Sequence, residues 1–95
     1  MARFVLDHSP EAEDELAALV LNSAPALGRQ ITQASDSIDA QLVHADLLPN
    51  YRRRRGVAPK YKLFDFPLLA VYEVDEISKT VKILHYRLMP RAYGP

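Results

Sequence analysis

Apolar residues recur along this chain with two different periods, and the change from one to the other divides it. Ala12, Leu16, Leu19 and Val20 are spaced i, i+4, i+7 and i+8, which puts them on one stripe of a helix reaching about residue 22. Ser9-Pro10 marks its start, because serine caps free backbone N–H groups and proline at the first helical position loses no hydrogen bond. Glu11, Glu13, Asp14 and Glu15 follow in the first turns, where the helix dipole favours negative charge. Asn22-Ser23-Ala24-Pro25 breaks and restarts the pattern. A second stripe then runs Leu27, Ile31, Ala34, Ile38, Leu42, Ala45 and is expected to end near Asp46–Leu48, ahead of Pro49-Asn50. The very short connection makes the two helices an antiparallel hairpin. Gly28 lies inside the second helix at some cost in propensity and is expected to be tolerated.

Elsewhere the pattern is that of strands. Arg3 to Asp7 is short, apolar and partly β-branched, a first strand. Tyr61 to Phe66 is a second, stopped by Pro67. Leu68 to Asp75 is a third, and its continuously apolar opening Leu68-Leu69-Ala70-Val71 suggests a strand covered on both faces. After a turn over Glu76-Ile77-Ser78-Lys79, Thr80 to Leu88 is the last strand, with Val81, Ile83 and His85 alternating against Lys82, Leu84 and Tyr86. The order β-α-α-β-β-β predicts a two-layer α+β domain, a helical hairpin packed on an antiparallel-rich sheet. Residues 1–95 are expected to form a single domain.

Charge changes the picture more than composition does. Residues 1–50 carry two bases against eight acids, a net of −6, while residues 51–95 carry ten bases against four acids, a net of +6. The overall neutrality hides a basic half, and six of its ten bases are Arg52, Arg53, Arg54, Arg55, Lys60 and Lys62. Such a concentration is a candidate surface for a polyanion, since Lys and Arg contacts to phosphates supply most non-specific nucleic-acid affinity. A hydrophobic content of 48% is enough for a core. The absence of cysteine excludes disulfides and thiolate metal sites and suits a reducing compartment. The N-terminus turns acidic before any apolar signal region develops, and no apolar stretch approaches the ~20 residues that span a bilayer, so a cytoplasmic location is expected.

Three segments carry a resemblance to the RelE/ParE superfamily of bacterial toxins from type II toxin–antitoxin pairs, a group that includes plasmid-stabilisation proteins. Phe4-Val5-Leu6 followed by Ser9-Pro10-Glu11-Ala12-Glu13-Asp14-Glu15-Leu16 resembles the family's first strand and the start of its first helix. Leu69-Ala70-Val71-Tyr72-Glu73-Val74-Asp75 resembles its strand before a tight turn. Val81-Lys82-Ile83-Leu84-His85-Tyr86-Arg87 resembles its last strand, and Arg91-Ala92-Tyr93 falls where a basic and aromatic tail follows. One departure is the tail itself, whose Pro90 and Pro95 forbid the short helix that many RelE nucleases place there.

The resemblance implies an endoribonuclease that cuts messenger RNA on the ribosome without metal or other cofactor and is neutralised by a cognate antitoxin. Attack by the neighbouring 2′-hydroxyl requires a group to take its proton, a group to protonate the leaving 5′-oxygen, and positive charge on the phosphorane. On that basis Arg87, Arg91 and Tyr93 are the catalytic candidates, with the arginines on phosphate charge and Tyr93 stacking or handling a proton. Arg53, Arg55, Lys60 and Lys62 are the nucleic-acid-binding candidates. Plainer readings stand beside these. An arginine run is an ordinary solvated or partner-binding face, and Arg87 could simply pair with Glu73 or Asp75. Tyr61, Tyr72 and Tyr86 read as sheet packing; His85 reads as either an acid/base or a structural group. His8 and His44 show no metal spacing and are given no role. Two other functions fit the same resemblance: a ParE-type inhibitor of DNA gyrase, and an inactive toxin-fold binding module. In each case the partner would be an antitoxin whose C-terminal segment folds on binding, with the basic half as a docking surface.

Overall fold

The structure, a computed structural model, describes residues 3–45 and 60–89. Six elements follow one another: β1 Val5–His8, α1 Pro10–Leu21, α2 Pro25–Leu42, β2 Lys60–Asp65, β3 Leu68–Asp75 and β4 Thr80–Leu88. The four strands form one sheet in the order β1-β4-β3-β2. β1 runs parallel to β4, and the other two pairings are antiparallel. This is the expected α+β architecture, with the helical hairpin on one face of a mixed sheet.

The local signals account for the elements. Ser9 caps α1, accepting from the Ala12 N–H at 3.0 Å, and Pro10 occupies its first turn. Both apolar stripes turn inward. Ile31, Ala34, Ile38 and Leu42 of α2 and Ala12 of α1 are buried against Leu68, Ala70, Tyr72 and Val74 of β3 and Val81, Ile83 and Tyr86 of β4, with Leu16, Leu19, Val20 and Leu27 packed around them. Each fully buried aliphatic side chain contributes about 1.5–3 kcal/mol relative to exposure. α2 ends at Leu42, earlier than the stripe suggested. The chain turns there because the Val43 carbonyl is taken by the Phe4 N–H at 2.9 Å, which ties the helix end to the approach to β1.

Two strand expectations need correction. The apolar opening of β3 is not covered on both faces by described residues: Leu68 and Ala70 are buried, whereas Leu69 and Val71 are only half-buried on the side away from the helices. In β4 the alternation breaks. Val71 pairs with His85 but Tyr72 pairs with Ile83, so Leu84 is an extra residue that forms a β-bulge. Past it the faces exchange, and Tyr86 joins Val81 and Ile83 in the core while His85 turns to the other side.

Candidate functional site

Residues directly opposite in an antiparallel ladder share a side of the sheet. β2 and β3 set Lys60 against Glu73, Lys62 against Val71 and Phe64 against Leu69; β4 continues these rows with Lys82, His85 and Arg87. None of these nine residues belongs to the buried core, so they form the face turned away from the helices. Asp7 of β1 lies beside Lys82 and completes an alternating row of charges, Lys60-Glu73-Lys82-Asp7. In the other two rows, Lys62 and Phe64 on β2 are separated from His85 and Arg87 on β4 by two strand spacings, about 10 Å. Val71 and Leu69 floor the gap. Phe64, 40% exposed, stands beside them, its ring edge-on to Phe66 at 6.5 Å. Two cationic borders, an apolar floor and an exposed aromatic ring suit a single-stranded polyanion whose bases can stack.

The sheet thus brings together three of the sequence-derived candidates, Lys60, Lys62 and Arg87. Arg53, Arg55, Arg91 and Tyr93 lie outside the described residues. The same face adds Lys82 and Phe64, and it holds His85, which the sequence offers as either an acid/base or a structural group. Among the described residues, no three His, Cys, Asp or Glu side chains are placed to hold a metal ion, and no helix is long and apolar enough to cross a membrane.

The end of β4 is held by α1. β1 stops at His8, opposite Ile83, so beyond that point the flank of β4 has no strand beside it among the described residues. Ser9 takes the first vacant position: its N–H donates to the Ile83 carbonyl at 2.8 Å and its hydroxyl to the Leu84 carbonyl at 2.9 Å, at the bulge. Glu15 takes the next. Its carboxylate accepts from the Tyr86 backbone N–H at 3.1 Å, from the Arg87 guanidinium at 2.7 Å and from His85 Nδ1 at 3.2 Å. Partial burial works to raise the Glu15 pKa, but the hydrogen bonds from Arg87, Tyr86 N–H and His85 outweigh it and hold the carboxyl below its ordinary range.

Arg87 therefore does not pair with Glu73 or Asp75. The register sets it opposite Leu69, while Glu73 lies opposite Lys82. The Asp75 carboxylate is engaged by the N–H groups of Ile77 and Ser78 in the turn, at 2.9 and 3.2 Å. Glu15, Arg87, Leu88, Tyr86, Leu19 and Ser23 line a cleft of about 380 Å³ beside this cluster.

The tyrosines behave as packing groups. Tyr72 is buried against Tyr61 at 5.5 Å between ring centres, and burial pushes its pKa up to about 12. Burial also raises Tyr86. Its hydroxyl has no hydrogen bond of good geometry among the described residues, though Ser35 lies close enough to offset part of that shift. His8 has a structural partner, Asp39 of α2, with Nε2 at 3.3 Å from the carboxylate. Sequence reasoning missed Glu15. As one of four acids at the start of α1 it carried only a helix-dipole signal, and its partners lie 70 to 72 residues away.

Comparison with solved structures gives the fold a context. The chain is similar to a component of the RelBE2 toxin–antitoxin complex from Mycobacterium tuberculosis, with TM-score 0.65 and 16% identity over 90% of this chain and 98% of that one. It is similar to the isolated RelE toxin of E. coli, with TM-score 0.56 and 17% identity over 95% and 88%. It is also similar to a chain of the chromosomal ParDE system of P. aeruginosa, with TM-score 0.57 and 19% identity over 95% and 100%. No protein-family model and no curated protein sequence matches it.

Proposed function

We propose that this chain, which has the fold of the RelE/ParE toxins, is the toxin of a type II toxin–antitoxin pair and cleaves messenger RNA as a metal-independent endoribonuclease of the RelE kind. The observation that carries this reading is the open face, where Lys62, His85 and Arg87 border an apolar floor and Lys60 stands in the row beside it. Lys60 and Lys62 bind phosphates, as do Arg53 and Arg55. Arg87 is suited to the phosphorane, being permanently charged and able to fork onto two phosphate oxygens. Arg91 and Tyr93 complete the set, Arg91 on phosphate charge and Tyr93 stacking on a base or handling a proton. A cognate antitoxin covering this basic half would neutralise it; the similar RelBE2 and ParDE chains come from toxin–antitoxin assemblies or systems.

Induced expression of the full chain in a bacterial host, followed for translation and message integrity, tests the proposal. Early collapse of translation with cut messages is expected, relieved by Arg87→Ala and by Lys60→Ala with Lys62→Ala. Intact messages in arrested cells sink it. The likeness to the ParDE chain favours a second reading, inhibition of DNA gyrase, which predicts filamentation and blocked supercoiling instead. Normal growth with abundant folded protein leaves an inactive binding module.

A further inference from the structure

Glu15 reaches the candidate site from the helical layer, and the geometry of its contacts defines more than an anchor. One oxygen accepts from Tyr86 N–H and His85 Nδ1, while the other lies 2.7 Å from the Arg87 guanidinium and 3.4 Å from His85 Nδ1. An ionised carboxylate can only accept, so the proton of the neutral His85 ring must sit on Nδ1 and the lone pair on Nε2. His85 lies opposite Val71, on the same open face as Lys62, and its side chain is 43% exposed. Among the described residues no group bonds its Nε2. The bulge at Leu84 makes this arrangement, because strict alternation would bury His85 beneath the helices and leave Tyr86 outside.

We propose that Glu15 is the positioning residue of the candidate site: it holds Arg87 at the end of β4 and orients His85 so that Nε2 accepts a proton from RNA. The proposal rests on the ribonuclease reading above. Nε2 takes the proton of the 2′-hydroxyl as that oxygen bonds to phosphorus. As the P–O5′ bond breaks on the opposite side of phosphorus, the 5′-oxygen takes a proton from water, leaving a 2′,3′-cyclic phosphate and a 5′-hydroxyl, and the imidazolium releases its own proton to solvent. Arg87, fixed by the same carboxylate, faces the charge that builds on the phosphorane. The carboxylate also stabilises the imidazolium formed midway, as an acidic partner does for catalytic histidines elsewhere.

A purely structural tie between α1 and β4 would also place Glu15 here, and two readouts separate the roles. Long-range 1H–15N spectra of the full chain without RNA report the tautomer of His85. The Nδ1–H form is expected in the wild type, giving way to the Nε2–H form in Glu15→Ala while the rest of the spectrum is retained. If Glu15→Ala does not fold, Glu15→Gln preserves the shape and an acceptor for Tyr86 N–H while removing the charge. In message cleavage, the folded variant should lose at least about 10-fold in kcat, the lower end of what removing the carboxylate partner of a functional imidazole costs, with KM nearly unchanged. A wild-type His85 in the Nε2–H form overturns the proposal. So does a Glu15 variant that cuts as fast as the wild type or faster, which would make the carboxylate a restraint on Arg87. A wild-type protein that cuts no message overturns the ribonuclease reading instead, and the spectra then decide the Glu15–His85 geometry alone.

Discussion

Ser9 is the side chain whose loss should cost most for its size. Its hydroxyl accepts the Ala12 N–H and donates to the Leu84 carbonyl, and the residue is only 4% exposed, so water cannot readily replace it in either role. Replacing it with alanine removes an N-cap, typically about 1 kcal/mol. It also strands a carbonyl at the bulge, about another 1 kcal/mol. The two losses concern different partners and should add to about 2 kcal/mol. For a domain of this size that corresponds to a drop in Tm of roughly 8–16 °C, or a fall in the urea midpoint of roughly 1–2 M. Ser9→Asp separates the two contributions, since aspartate caps well but has no proton for Leu84 and sets a carboxylate against that carbonyl. It should recover at most the capping share, less the cost of holding that charge against the carbonyl at a buried position. Urea unfolding followed by far-UV circular dichroism measures both variants. Ser9→Ala within about 0.5 kcal/mol of the wild type would refute the reasoning, and Ser9→Asp equal to the wild type would remove the bulge contact from it.

Gly28→Ala should stabilise the chain by about 0.5–1 kcal/mol through the helix preference for alanine. The added Cβ meets Val20 O at 3.6 Å and Val20 Cγ1 at 3.8 Å, ordinary contact distances; a lower denaturant midpoint would show that α1 and α2 pack more closely there. Glu15 has a folded pKa lowered from 4.5, so its contribution to stability is present above that value and is lost as pH falls through the folded value. Unfolding of the wild type and Glu15→Gln should accordingly differ most near neutral pH and converge in acid. A gap that stays constant below pH 4.5 would show that the carboxylate gains nothing from His85, Tyr86 N–H and Arg87.

Much of the fold was legible because each helix keeps one period for several turns. Ile31, Ala34, Ile38 and Leu42 are buried as their spacing requires, and Ser9-Pro10 caps α1 as those residue types do. The strands were legible as elements but not in their arrangement. Nothing near Val5 announces that it pairs in parallel with Thr80, and a single surplus residue at Leu84 reverses every later facing without altering composition. The candidate site divides the same way. Lys60 and Lys62 share a face by period alone, whereas the partner of Arg87 depended on where α1 crosses the end of β4. Local patterns cannot encode that crossing, so an acid read as a helix-dipole complement turns out to sit against three groups of β4.

The placement of β4 also sets when the molecule can exist. β4, the last strand among the described residues, is an inner strand, flanked by β1 from residues 5–8 and β3 from just before it. Until its residues are available, the core lacks Val81, Ile83 and Tyr86, and neither Ser9 nor Glu15 has its partners on β4. A nascent chain stopped short of Thr80 has helices without a complete sheet beneath them and two strands with an open edge. The basic face, assembled from both β2 and β4, does not form before then. Synthesis itself therefore delays the basic face: folding waits for a contact spanning about 75 residues, the slow kind of closure.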